Sequence, residues 1–145
     1  MTLLFDPKTF ALTQWIVIDP QRSLAEASRL MRAHAIRHLP VVRGGQVVGI
    51  LSQRDVYLIE TLSNADPAEI RVEEAMTNDP LIVDPDEPVH LVARKMASRK
   101  IGSAVVAHNG RLLGLFTVTD ALRALAVLAC AEQHPLESRA AAEGV

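Results

Sequence analysis

Apolar and polar positions recur along the chain with two periods, and each period predicts one type of element. Apolar residues at helical spacing follow the capping-box pattern of Ser23 and Glu26, which predicts a helix over residues 23–34. A short apolar run at 15–18, closed by Asp19-Pro20, predicts a strand. Runs at 38–42 and 46–51 flank a glycine turn and predict a hairpin, after which a helix is expected from about Ser52 to Leu62.

The same pattern occurs a second time at a fixed offset. Gly114 and Asp120 lie 65 residues after Gly49 and Asp55, and residues 16–56 align with 81–121 without a gap. Nine residues recur unchanged in the second copy: Asp19, Pro20, Arg29, Met31, Ile36, Val41, Gly45, Gly49 and Asp55. A fixed internal period indicates one supersecondary unit built twice, so function is expected where the two copies meet.

The second copy predicts the same elements, which divides the chain into segments. We expect a strand at 81–83, a helix opened by Pro88, hairpin strands at 103–107 and 112–116, and a last helix over 117–131. The predicted segments are an N-terminal segment 1–12 with a short helix over 7–12, a first repeat 13–63, a linker 64–76 with one helical turn at 72–76, a second repeat 77–131 and a flexible tail 132–145.

Composition excludes several classes of protein. With 145 residues and 3% aromatics, the chain is expected to form one domain with an aliphatic core. A net charge of −2 with mixed signs gives no electrostatic footprint for nucleic acid. The N-terminus lacks signal-peptide character, and the longest apolar run, at 124–131, is too short to span a bilayer. One cysteine, Cys130, fits a reducing compartment, and a soluble cytoplasmic protein without membrane partner is expected.

Catalytic and metal-binding patterns are weak in this sequence. The five histidines form no ligand set with a cysteine or carboxylate, and no phosphate-loop, Rossmann or nucleophile-elbow motif occurs. Cys130 lies in an apolar helical pattern and is expected to be an inert core residue. We therefore expect no enzyme, no catalytic residues, no metal and no required cofactor.

The motif Gly-x-x-Ser/Thr-x-x-Asp closes the hairpin in both copies. Ser52 and Thr117 lie at a helix start, where unpaired N–H groups and the helix dipole favour a phosphate. Asp55 and Asp120, three residues on, offer carboxylates that accept both hydroxyls of a ribose. The same spacing is also close to a capping box, which would stabilise the helix and bind nothing. Both interpretations remain open from the residues alone.

These features resemble the CBS-domain family, and specifically a tandem pair of such domains. The resemblance is carried by the repeated motif, by the β-α-β-β-α order, by Glu74-Ala-Met76-Thr77 before the second copy and by Ile36-Arg-His-Leu-Pro40 in the first. It covers roughly residues 12–128. It implies an α/β (α+β) fold of two repeats related by a pseudo-two-fold axis. Two such chains would associate as a disc-like homodimer.

The resemblance also implies roles for individual residues. Asp55 and Asp120 would bind the ribose of AMP, ADP, ATP or S-adenosylmethionine. The candidate phosphate-binding residues are Ser52, Thr117, Arg54, Thr119, Arg37 and His38. The candidate adenine pocket consists of Ile16, Ile36, Val83 and Ile101, for which a plain core position is the alternative. The second copy offers fewer cations, so a polyphosphate is expected to use the first.

Two helices carry more apolar surface than a small core needs. The helix at 117–131 is apolar on nearly every side, with Arg123 as its only charge in the segment 121–129, and the helix at 52–62 is also rich in apolar residues. A homodimer through these helices is expected, with an intramolecular four-helix contact as the alternative. The sequence thus predicts a regulatory adenosine-nucleotide-binding module that signals to an unidentified protein, or else a structural adaptor dimer without a nucleotide ligand.

Overall fold

The computed structural model describes residues 16–62 and 64–133, and within them the predicted order of elements is confirmed. The first repeat contains α1 (Leu24–Ala33), β1 (His38–Arg43), β2 (Gln46–Ser52) and α2 (Gln53–Leu62). The connection contains α3 (Val72–Ala75), and the second repeat contains β3 (Ile82–Val83), α4 (Val89–Arg99), β4 (Ser103–His108), β5 (Arg111–Thr117) and α5 (Val118–Gln133). The predicted helix over 7–12 lies outside the described residues, as does nearly all of the predicted tail.

Helix α1 begins where its sequence predicts. The Glu26 backbone N–H donates to Ser23 Oγ at 3.2 Å, which satisfies one of the donors that a helix start leaves unpaired. Leu24, Ala27 and Met31 lie on one face and are buried. The helix therefore docks its apolar stripe on the hairpin and fixes the first layer of the repeat.

The two hairpins have the same register. His38 pairs with Ser52 in β1 and β2, and the corresponding residues Ser103 and Thr117 pair in β4 and β5. Each hairpin is antiparallel and has one register shift, after Val41 in the first and after Val106 in the second. Because the register is shared, each following helix begins beside the first residue of its hairpin, at the start of β1 or of β4.

The first strand of each repeat is short. In the second repeat, β3 pairs in parallel with β4 and completes a three-stranded sheet. In the first repeat, Ile18 alone makes a parallel bridge to Val41, donating to the Pro40 carbonyl and accepting from Val42 N–H. The strand predicted at 15–18 is thus reduced to one bridge in its described part.

Each repeat has its own apolar cluster. The first consists of Ile18, Leu24, Ala27, Met31, Leu39, Val41, Leu51, Val56 and Val72. The second consists of Leu81, Val83, Val92, Met96, Ala104, Val106 and Phe116. Val105 is fully buried but does not belong to the second cluster. Alternate strand residues face opposite sides, so Val105 lies on the opposite face of the sheet from Ala104 and Val106.

A close backbone approach joins the connection to the first hairpin. Thr77 and Ile50 exchange two backbone hydrogen bonds, of 3.1 and 2.9 Å. This contact requires glycine at position 49, since a Cβ there would lie 2.8 Å from the Thr77 carbonyl oxygen and 2.5 Å from Met76 Sδ. Gly49 therefore lets the chain cross β2 on its way to the second repeat.

One burial prediction is wrong. Cys130 is exposed rather than packed in the core. The reason is that the outer face of α5 projects from the single chain, with Leu122 and Leu125 also exposed. Among residues 16–62 and 64–133, no helix is both long and apolar enough to cross a membrane.

Substitution of Gly49 tests the close approach. We expect Gly49→Ala to lower the free energy of unfolding by about 1–3 kcal/mol, because the added methyl overpacks against fixed backbone at Thr77. Urea unfolding followed by circular dichroism measures the change. Gln46→Ala, at an exposed position of the same strand, is the control and should change stability by about 0.5 kcal/mol or less. If the two variants were equally stable, the close approach of the Thr77 backbone to Gly49 would be contradicted.

Candidate functional site

The start of α2 is closed by reciprocal hydrogen bonds. The Asp55 backbone N–H donates to Ser52 Oγ at 3.1 Å, and the Ser52 backbone N–H donates to Asp55 Oδ2 at 2.9 Å. Both residues are half-buried. Within the described residues no hydrogen bond is formed by Asp55 Oδ1, so this oxygen keeps its acceptor capacity.

The start of α5 has the same arrangement with a different hydroxyl geometry. The Thr117 backbone N–H donates to Asp120 Oδ2 at 2.8 Å, and Thr117 Oγ1 lies 3.0 Å from the same oxygen. The return bond from Asp120 N–H to Thr117 Oγ1 is long, at 3.5 Å. Arg123 Nη1 lies 3.9 Å from Asp120 Oδ1. The Asp120 carboxylate is therefore more fully engaged by its own helix than the Asp55 carboxylate is.

These bonds have the form of a capping box, one of the two interpretations that the spacing left open. Such a cap stabilises a helix by about 1 kcal/mol. It also fixes the rotamer of the carboxylate and holds the hydroxyl at the first turn of the helix. A carboxylate has about four lone-pair positions, and the cap uses only part of them. The cap thus orients the acidic group without using all of its hydrogen-bonding capacity.

A second loop lies against each helix start. The Gln53 N–H donates to the Arg37 carbonyl at 2.8 Å, and the Val118 N–H donates to the Gly102 carbonyl at 3.1 Å. These bonds bring the residues before β1 and β4 to the first turns of α2 and α5. Arg37 and His38 are therefore close to Asp55, as the proposed phosphate site of the first repeat requires.

The electrostatic environment of His38 reflects this position. Burial lowers the pKa of His38 below its ordinary value of 6.5, while the nearby Asp55 carboxylate raises that pKa and the Arg37 guanidinium lowers it further. Burial is the largest of these effects. The lowered pKa favours, at neutral pH, the neutral imidazole, in which one ring nitrogen donates and the other accepts.

The other candidate residues occupy different environments. Arg37, Arg54 and Thr119 are exposed at the rim of the helix starts. Ile16 and Ile36 are half-buried and pack against the first cluster, and Ile101 packs against the second. Val83, by contrast, is 2% exposed inside the second cluster. Val83 is a core residue and presents almost no surface to a ligand, whereas the three isoleucines keep some.

Sequence reasoning missed the contact of the two repeats at Gly102. A Cβ built on Gly102 would lie 3.3 Å from His38 Nε2 and 3.7 Å from its Cε1. The ring of one repeat thus lies against the backbone of the other. The available signal was the alignment itself, in which Gly102 occupies the position that Arg37 has in the first copy.

A separate groove runs outside these helix starts. It has a volume of about 570 Å³, with an apolar floor from Leu30 and Ala33 and charged residues such as Arg22 and Glu26 at its side. None of the predicted site residues lines it. Over residues 16–62 and 64–133, no cluster of three or more His, Cys, Asp or Glu side chains is arranged to hold a metal ion.

Comparison with known proteins identifies the family. The family model for the CBS domain matches this chain twice, over residues 9–59 and 72–127. The chain therefore belongs to the CBS-domain family, and its two repeats are a CBS-domain pair.

Three relatives place the pair in different contexts. Inosine-5′-monophosphate dehydrogenase of Korarchaeum cryptofilum is 36% identical over 133 residues, which are 91% of this chain but 25% of that protein. The CBS domain pair of protein MJ0100, in complex with 5′-methylthioadenosine and S-adenosyl-L-methionine, is 28% identical with a TM-score of 0.76, over 87% of this chain and 98% of that one. A hexameric CBS-CP12 protein from bloom-forming cyanobacteria is 29% identical with a TM-score of 0.68, over 75% and 64%.

Replacement of Asp55 separates its cap role from its charge. We expect Asp55→Ala to lower the free energy of unfolding by about 1 kcal/mol, because the Ser52 N–H loses its acceptor. Asp55→Asn keeps a side-chain oxygen for that N–H and should lose less, since only the charge at the helix start is removed. Urea unfolding of both variants measures the difference. If both variants lost the same stability, the hydrogen bond to Ser52 would not contribute.

Proposed function

We propose that this chain is a regulatory module that binds an adenosine nucleotide, AMP, ADP, ATP or S-adenosylmethionine, and signals its presence to a partner protein. Each repeat contributes one site, in which Asp55 or Asp120 accepts the ribose hydroxyls. Ser52 or Thr117, at the positive end of the helix dipole, takes the phosphate or other polar end of the ligand.

The observation that carries the proposal is the half-buried hydroxyl and carboxylate held together at both helix starts. A ribose needs a fixed acceptor, and a phosphate needs donors with positive electrostatic potential. Both requirements meet within one turn of α2 and again of α5. Ile16, Ile36 and Ile101 are the candidate surface for the adenine ring.

The two sites are proposed to differ in the charge they accept. His38 lies close to Asp55, with the exposed cations Arg37 and Arg54 at the same end of the first repeat. The corresponding residues of the second repeat are Gly102, Ser103 and Thr119, which carry no charge. We therefore assign a di- or triphosphate to the first site and a less anionic ligand to the second.

A relative supports an adenosine ligand. The pair of protein MJ0100, which this chain covers almost completely, contains two adenosine derivatives. Neither derivative carries a phosphate, which fits a site where most of the binding comes from the carboxylate on the ribose and from apolar side chains on the adenine. The match to dehydrogenases covers only part of those proteins, and we propose no catalytic activity for the residues that align with it.

Association of two chains through α2 and α5 forms the second part of the proposal. Val118, Leu122, Leu125 and Leu128 form an exposed apolar stripe at helical spacing on α5, and α2 exposes Leu58. Apolar patches of this kind mark contacts between chains. A two-fold homodimer covers both helices at once, and the hexameric relative is an oligomer of the same fold.

Signalling follows from the position of the sites rather than from chemistry. A ligand biases a conformational equilibrium only by its different affinity for the two states. Contacts to the loops before β1 and β4 reach both the helix start and the facing repeat. Ligand binding there is proposed to alter the packing of the repeats and thus the surface offered to the partner, in the cytoplasm and without nucleic acid or membrane.

Thermal melting with AMP, ADP, ATP and S-adenosylmethionine tests ligand binding. At a hundredfold excess over Kd, a true ligand should raise Tm by roughly 5–10 °C. Asp55→Asn and Asp120→Asn should each abolish one part of the rise, because they remove the ribose acceptor while retaining an oxygen for the cap. Asp86→Asn, at an exposed turn before α4, is the matched control and should respond like the unchanged protein.

Sedimentation velocity tests the dimer. The unchanged protein should sediment with twice the mass of one chain. Leu125→Arg, at a position 61% exposed on α5, should give monomers, because a charge would be buried in the apolar contact. Gln46→Arg, exposed at the start of β2, should leave the dimer intact. A monomeric unchanged protein would overturn the proposed interface.

The alternative function is a structural adaptor dimer without a nucleotide ligand. It is favoured by the caps, which satisfy the helix starts in the free chain. Under this alternative none of the four compounds changes Tm, whereas Leu125→Arg still dissociates the dimer. The melting experiment therefore distinguishes the two functions.

A further inference from the structure

His38 lies at the junction of the two candidate sites. It is the first residue of β1, it is half-buried, and it is near enough to Asp55 for the carboxylate to affect its pKa. The ring also lies against the second repeat, with Nε2 3.3 Å from the position of a Cβ on Gly102. One side chain thus touches both halves of the molecule.

Gly102 connects this contact to the second site. Its carbonyl accepts the Val118 N–H at 3.1 Å, and Val118 is the first residue of α5. Thr117, which closes the start of that helix with Asp120, is the preceding residue. A displacement of the Gly102 backbone therefore reaches the second site through one peptide hydrogen bond.

The contact depends on a difference between the copies. The residue that corresponds to Gly102 in the first repeat is Arg37, and Ser103 corresponds to His38. A side chain at position 102 would come within 3.3 Å of the ring, closer than ordinary van der Waals contact. The second copy has a glycine where the ring of the first copy approaches.

We infer that His38 transmits a change at the first site, either a bound phosphate or a bound proton, to the start of α5, so that the two sites bind with coupled affinities. The nucleotide part of this inference rests on the proposed function. The proton part does not, because it needs only the imidazole and its contact with Gly102.

The physical basis is the ring's charge. The charged groups that act on His38 are the Asp55 carboxylate and the Arg37 guanidinium. A neutral ring stays buried against Gly102, whereas a protonated ring is attracted to Asp55 or to a phosphate beside it. The contact with Gly102 therefore differs between the two states, which is the requirement for coupling.

The first test uses no nucleotide. The backbone amide signals of Gly102 and Val118 are followed by NMR between about pH 8 and pH 5. Because burial places the His38 pKa below 6.5, we expect the signals of both amides to shift below pH 6.5, with the same midpoint as the signals of the His38 ring. The change should vanish in His38→Gln and persist in His108→Gln. If the pH dependence of the two amide signals were the same with and without the His38 imidazole, the inference would be overturned, whatever the results with ligands.

A thermodynamic cycle checks the contact itself. Gly102→Ala should lower Tm in the unchanged background, because its methyl presses on the ring. In the His38→Ala background the same substitution should leave Tm unchanged or raise it. Equal effects in both backgrounds would contradict a direct contact between the two positions.

The second test measures coupling between nucleotides by calorimetry with AMP, ADP, ATP and S-adenosylmethionine. The affinity of each site is obtained alone in Asp120→Asn and Asp55→Asn and compared with the two-site isotherm of the unchanged protein. We expect occupation of one site to change the affinity of the other by about fivefold or more, and by the same factor whichever site is filled first. In His38→Gln the two sites should bind independently. Binding without coupling would overturn the inference and spare the proposed function. No binding at all would overturn the proposed function and leave the decision to the amide titration.

Discussion

The reciprocal caps at the start of α2 and of α5, in which one backbone N–H donates to the carboxylate and another donates to the hydroxyl, are the constraint on which the rest of this molecule depends. They end a strand and begin a helix within one residue, so they fix the direction of each outer helix relative to its hairpin. They also determine where two acidic groups lie. The same contact therefore serves the local stability of the fold and the geometry of the candidate site.

Periodicity explains why most of the fold was predictable. Element order, the two hairpins and their glycine turns depend on local patterns, and the 65-residue repeat doubles each signal. The first strand was less predictable, since the ladder at Ile18 depends on a long-range partner, Val41, and not on the run that contains it. The burial of Cys130 on α5 was mispredicted for a related reason. An apolar composition indicates that a helix surface is to be covered, but it does not indicate whether the same chain or another chain covers it.

The site was predictable to a different degree. The motif identified Asp55 and Asp120, because its spacing fits both a helix cap and an acceptor for ribose hydroxyls. For the same reason, the motif alone could not decide whether these residues only cap the helix or also bind a ligand. Val83 entered the candidate pocket by its apolar character, which cannot distinguish a core position from a slot. The position of His38 against Gly102 joins residues from different repeats, and no local pattern encodes such a contact.

Duplication gives the two copies one geometry, and later divergence gives them different chemistry. The hairpin registers and the loop bonds at Gln53 and Val118 are the same in both copies, and the caps share one pattern but differ in the geometry of the hydroxyl. Beside the helix starts, Arg37, His38 and Arg54 of the first copy correspond to Gly102, Ser103 and Thr119 of the second. Because the shared parts hold the helix starts in equivalent positions, these substitutions change the charge beside each helix start and the contact between the repeats without changing the order of elements. Two identical copies would have equivalent surroundings at both helix starts, whereas here the first start has Arg37 and Arg54 exposed at its rim and the His38 ring lies against the Gly102 backbone of the second repeat.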